Sequence, residues 1–151
     1  MREILFRGKA INRHKKGGGY RTKYKNGDWV YGLLEKHYNE RFEFPAEMRN
    51  TDGVSGIQVD YKTIGQFTGL CDKNGKKIFE GDIVRHIQKY EISGEVESTA
   101  VIIWNEAYSC WSVKYLNGRV TAFLGCEHSE IEVISNIYDN PELLKDGDKG
   151  E

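Results

Sequence analysis

Three groups of residues in this chain have side chains and spacings suited to chemistry. The first is a basic stretch in which Arg13, Lys15, Lys16, Arg21, Lys23 and Lys25 surround Tyr20 and Tyr24. Clustered cations neutralise phosphates and tyrosine rings stack on bases, so these eight residues are the candidate nucleic-acid contacts. A solvated hairpin loop accounts for the same composition, because no groove-reading helix accompanies it. The second group joins Cys71, Cys110 and Cys126 with His14, His37, His86 and His128, of which Cys126-Glu127-His128 is the closest set. Zinc sites bring ligands in tight pairs such as Cys-x-x-Cys, and that spacing is missing. Cys126 and His128 would also make a thiol nucleophile and its base, but no residue is evident to orient the base. The bland alternative is reduced, mostly buried thiols. The third group is acidic: Asp72-Lys73-Asn74-Gly75 opens like a calcium loop without the later ligands, and Glu80 and Asp82 flank a glycine as paired carboxylates would. A turn explains the former and a strand entry the latter. No catalytic residue, metal or cofactor is expected.

The elements that position these residues are short strands. The 151 residues include nine Tyr, six Phe and three Trp with only two Met, and the seventeen Gly against two Pro favour tight turns. Residues 3–9 alternate as a strand with Ile4 and Phe6 on one face. The stretch holding Lys15-Lys16-Gly17-Gly18-Gly19 is a loop, and Asn26-Gly27 signals a hairpin turn into a strand over 28–34. Residues 35–56 match neither period. A strand follows over 56–61, and residues 63–84 form two apolar runs separated by the Asp72-to-Gly75 turn. Further strands are predicted over 82–90, from Gly94 to Trp104, over 109–115 with Trp111, Val113 and Tyr115 on one face, over 119–124 and over 131–138. Asn140-Pro141 reads as a helix cap with Pro at the first helical position, giving at most one short helix. Residues 146–151 form a polar tail, expected to be disordered. Such a succession builds a small antiparallel barrel or sandwich.

Charge is unevenly spread. Residues 1–27 carry nine basic side chains and one acidic, Glu3, a balance of +8, while the other residues carry 13 basic and 22 acidic, −9. Long apolar runs and a signal-like start are absent, so a cytoplasmic location is expected.

Several segments in order, Ile4-Leu5-Phe6-Arg7-Gly8-Lys9, Gly27-Asp28-Trp29-Val30-Tyr31-Gly32, Ile64 to Leu70 with Asp72, Asn74-Gly75 and Ile78 to Val84, and Ile137 to Leu144, together resemble the YopX family of phage and prophage proteins. The resemblance implies a mostly β protein made by bacteria that carry such phages, with an SH3-like barrel in the C-terminal part. It implies no reaction. On this basis residues 1–145 are read as one domain, with an N-terminal hairpin and irregular segment over 1–62 and the barrel over 63–138. The Gly17-Gly18-Gly19 loop is longer than the family's usual hairpin.

Two functions follow as expectations. The first is a non-enzymatic module that binds a host or phage protein or assembles with itself, since oppositely charged segments attract. The alternative is a nucleic-acid-binding module using the basic loop.

Overall fold

The computed structural model describes residues 3–11, 23–36, 46–92, 94–122 and 129–145. Among them lie β1 (Phe6–Lys9), β2 (Trp29–Lys36), β3 (Ala46–Asn50), β4 (Ile57–Val59), β5 (Gly65–Cys71), β6 (Lys77–Phe79), β7 (Asp82–Tyr90), β8 (Gly94–Asn105), β9 (Cys110–Tyr115), β10 (Val120–Ala122) and β11 (Ser129–Asn136). Two single-turn 3-10 helices, Tyr61–Thr63 and Pro141–Leu144, complete the described elements. The strands make two antiparallel sheets, ordered β4-β3-β2-β1-β5-β6 and β10-β9-β8-β7-β11. The chain divides into two compact units, Met1–Phe67 and Thr68–Glu151.

In the first unit β1 and β2 pair from Phe6↔Gly32 to Lys9↔Trp29. Strand β3 lies in the stretch whose sequence pattern is unreadable. Its Ala46, Met48 and Asn50 are buried while Glu47 and Arg49 point away, so a short alternation is diluted by charges and a buried polar residue. Gly32 is dictated by this pairing, because a Cβ there would lie 1.8 Å from the Arg49 carbonyl oxygen. Beyond Lys9 the end of β1 meets β4 through the isolated bridge Ala10↔Val59. Ala10, Val30, Ala46, Met48, Ile57 and Val59 form the core, with Phe6, Tyr24, Leu34, Tyr61 and Ile64 packed on it. Truncating a wholly buried side chain such as Met48 to alanine costs about 2–5 kcal/mol. Ile4 does not share the inward face with Phe6: it is exposed ahead of β1, and Leu5 is the buried neighbour.

In the second unit β7 pairs with β8 from Ile83↔Val101 to Tyr90↔Gly94, and with β11 on its other side. Strand β9 pairs with β8 from Ala100↔Tyr115 to Asn105↔Cys110. The core gathers Ile78, Val84, Ala100, Ile102, Trp111, Val113, Tyr115 and Val133. Trp111, Val113 and Tyr115 therefore share the inward face, as alternation requires. Among the described residues no closed barrel is formed: β10 and β11 are the two edges of the sheet. Closure requires the two edge strands to meet in staggered register, and β10 supplies only three residues, paired to β9. The turn at Pro141 is present as a 3-10 helix, but Asn140 makes no capping bond. Its side chain instead accepts from Ser135 Oγ and donates to Glu142. The tail over 146–151 lies outside the described residues.

Candidate interaction surfaces

The residues of the basic stretch have separate fates. Arg13, Lys15, Lys16, Tyr20 and Arg21 lie outside the described residues. Lys23 is exposed and forms an ion pair with Asp52 at 2.6 Å, a hydrogen bond that raises its pKa. Tyr24 is half-buried against the first core, and its hydroxyl accepts from Asn50 Nδ2 at 3.1 Å. Its ring also lies beside Lys23 Nζ, 5.6 Å from the centroid. Lys25 has an exposed side chain and donates its backbone N–H to Asp28 at 2.7 Å. A different cation and aromatic group is brought together by β1 and β2, with Arg7 buried and Lys9 and Trp29 half-buried. The Arg7 guanidinium lies 4.8 Å and Lys9 Nζ 5.4 Å from the Trp29 ring. Arg7 and Lys9 are two apart in β1, and Lys9 stands opposite Trp29 in the ladder. That placement follows from strand pairing, which no local pattern in the sequence announces.

Asp72 and Asp82 are occupied by backbone. Asp72 is buried and accepts from the N–H groups of Asn74 at 2.8 Å and Lys76 at 2.9 Å through Oδ1, and from Val133 at 3.0 Å through Oδ2. Burial pushes its pKa up, but these three donors, Val133 foremost, outweigh it, so the carboxyl titrates below the usual range. The carboxylate thus closes its own turn and ties it to β11. Asp82, buried at the start of β7, accepts from Phe79 N–H at 2.8 Å, and Gly81 between them has φ of +79°. Asp72 and Asp82 thus each close a turn with their own side chains.

Cys126, His128, His14 and His37 lie outside the described residues. Cys71 is exposed rather than buried, since it ends β5 beside the turn, and Cys110 is half-buried. Among the described residues no three His, Cys, Asp or Glu side chains are grouped to hold a metal ion. His86 is buried on β7, with Nδ1 2.6 Å from the Tyr115 hydroxyl and the two rings stacked. Burial, with the Arg119 guanidinium adding to it, lowers the His86 pKa, so the imidazole is neutral at pH 7. Arg119 lies over the Tyr115 ring at 4.5 Å.

The second unit also exposes large apolar side chains at the ends of its hairpins. At the β8–β9 end Trp104 is 44% and Tyr108 81% exposed. Trp104 stands opposite Trp111 and meets it edge-on, with centroids 5.1 Å apart. Trp111 is buried, and its indole N–H has no hydrogen-bond partner among the described residues. Trp104 and Trp111 are spaced equally about the intervening turn, a hairpin signal present in the sequence. At the β7–β8 end Tyr90, Ile92 and Val96 are exposed.

The family model described as YopX protein matches residues 19–145. The chain belongs to the YopX family. The comparison with curated proteins finds no similar one. The YopX match includes both side-chain-closed turns and both exposed hairpin ends. Its second unit carries 9 basic and 15 acidic residues, against 13 and 8 in the first. Among the described residues no helix is long and apolar enough to cross a membrane.

Proposed function

We propose that this YopX-family protein is a non-enzymatic module that binds a partner protein through its second unit. The observation that carries the reading is the pair Trp104 and Tyr108, exposed at one hairpin end and backed by the buried Trp111. Trp and Tyr dominate binding energy at protein interfaces because they bury a large rigid area at low entropic cost. The non-enzymatic part is supported by the use of Asp72 and Asp82, whose carboxylates bond to backbone N–H groups. The resemblance to phage and prophage proteins supports a phage origin and action in the bacterial cytoplasm. Five antiparallel strands joined largely by hairpins are the material of an SH3-like barrel, and we read the second unit in that sense.

The test is photo-crosslinking in bacteria producing the protein with a crosslinking amino acid beside Tyr108, comparing wild type with the Trp104→Ala/Tyr108→Ala variant. A defined protein adduct that the variant loses, while its melting curve shows it still folded at the crosslinking temperature, is the expected result. Adducts identical in both proteins overturn it.

A second reading, nucleic-acid binding, is favoured by the half-buried Lys9 beside the half-buried Trp29 in the more basic unit. Phosphate contacts release counterions, so that reading requires binding to labelled single-stranded DNA that weakens steeply with salt. No binding at low salt retires it.

A further inference from the structure

Strand β8 is paired on both edges for only part of its length. Its partner β7 follows it from Gly94 to Val101, whereas β9 begins opposite Ala100. Residues 94–99 thus present one edge that, among the described residues, faces no strand. Unpaired N–H and C=O groups along such an edge are a template for another extended segment.

The side chains flanking this edge specify what fits. In the ladder Val96 stands opposite Gln88 and Gly94 opposite Tyr90, so Val96 and Tyr90 lie on one face, and both are exposed. Glu95 and Glu97 lie on the other face and are exposed as well. Their internal ion pairs are loose, 3.8 Å to Lys89 and 3.6 Å to Arg85. Both cations have nearer partners on β11, Lys89 with Glu130 and Arg85 with Glu132. Exposed pairs of this length contribute little, so both glutamates can accept from a cation on an added strand. A second copy of this chain does not suit the edge. Antiparallel self-pairing would put two glutamates from each copy together on one face, and like charges opposite one another destabilise a ladder.

We propose that the Gly94–Thr99 edge of β8 accepts an extended segment of the partner protein in which Lys or Arg alternates with apolar residues. The basic side chains meet Glu95 and Glu97, and the apolar ones meet Val96 and Tyr90. This assignment rests on the protein-binding reading and names the chemistry of the partner. Main-chain bonds to the edge supply affinity, and the alternation sets register and face.

The experiment is fluorescence-anisotropy titration of the full chain with a labelled peptide alternating lysine and valine. The peptide is compared with two others, each methylated on one alternate set of backbone amides, and with one alternating glutamate and valine. Wild type binds the first, fails to bind the glutamate peptide and one of the two methylated peptides, and Glu95→Lys/Glu97→Lys reverses the charge preference. Both substitutions are at exposed positions, and a melting curve verifies folding. Binding that survives methylation of both alternate sets, each tested in its own peptide, overturns strand addition, and binding unchanged by the double substitution overturns the site. Light scattering showing dimers that Glu95→Lys/Glu97→Lys abolishes would assign the edge to a second copy instead. If the peptide fails to bind while the Tyr108 crosslink persists, the edge assignment falls and the protein-binding reading stands. Loss of both results removes both.

Discussion

The turns around Asp72 and Asp82 and the free parts of β8 belong to the same unit and use polar groups in opposite ways. Asp72 satisfies three backbone donors and Asp82 a fourth, all within the fold. Strand β8 leaves the edge of residues 94–99 unpaired among the described residues and leaves Trp104 exposed beyond its core. The difference teaches where to look in this family. A buried carboxylate whose oxygens accept from the backbone explains a recognisable motif by folding alone, whereas an open edge beside exposed aromatics has no folding use.

The comparison is broken if substitutions in the two regions act alike. The largest expected effect on stability is Asp72→Ala, which strands the buried Val133 N–H and unties the turn. A loss of about 3 kcal/mol or more is expected from urea denaturation. The Asp72 carboxyl titrates lower in the folded protein than in the unfolded chain. Its contribution is therefore present above the usual carboxylate range and is lost as pH falls through the lower folded value. A wild-type urea midpoint that falls on acidification there, with a flatter response in Asp72→Ala, is the expected result. His86 gives the next effect. Its folded pKa lies below the unfolded one, so between the two the unfolded chain binds the extra proton and stability falls as pH drops. His86→Gln should flatten the change in midpoint between pH 7.5 and pH 5, which bracket the ordinary histidine value of about 6.5.

Much of this contrast is visible in the sequence on one side only. Asp72-Lys73-Asn74-Gly75 reads correctly as a turn and Gly81-Asp82 as a strand entry, because Asx side chains and positive-φ glycine act within a few residues. Trp29, Trp104 and Trp111 could not be sorted by sequence, since each is a large apolar residue in a strand. Only the ladder leaves one half-buried beside two cations, one exposed and one in the core. Tyr24, grouped with basic neighbours by sequence, is half-buried against the first core and accepts from Asn50, which is 26 positions away.

Smaller effects sharpen the comparison. Trp104→Ala/Tyr108→Ala should cost less stability than Asp72→Ala while removing the crosslinked partner, a reversal of rank between melting and binding. Removing the exposed Lys23 to Asp52 pair by Lys23→Met should leave the urea midpoint unchanged within error, because such pairs are solvent-screened. A drop as large as that of Asp72→Ala would mean that the first unit also depends on polar closure.

By itself the sequence determined that this chain is mostly β, where its strongest turns fall and which family it resembles. Alternation, Asx turns and glycine act over a few neighbouring residues, and those signals survive in a linear reading. Tertiary structure alone decided that Arg7 and Lys9 meet Trp29, that Asp72 reaches Val133 61 positions away, and that β9 stops short of residues 94–99. Each of these depends on which strands become neighbours and in what register, and pairing between distant segments is set by burial of the whole sheet face rather than by local preference.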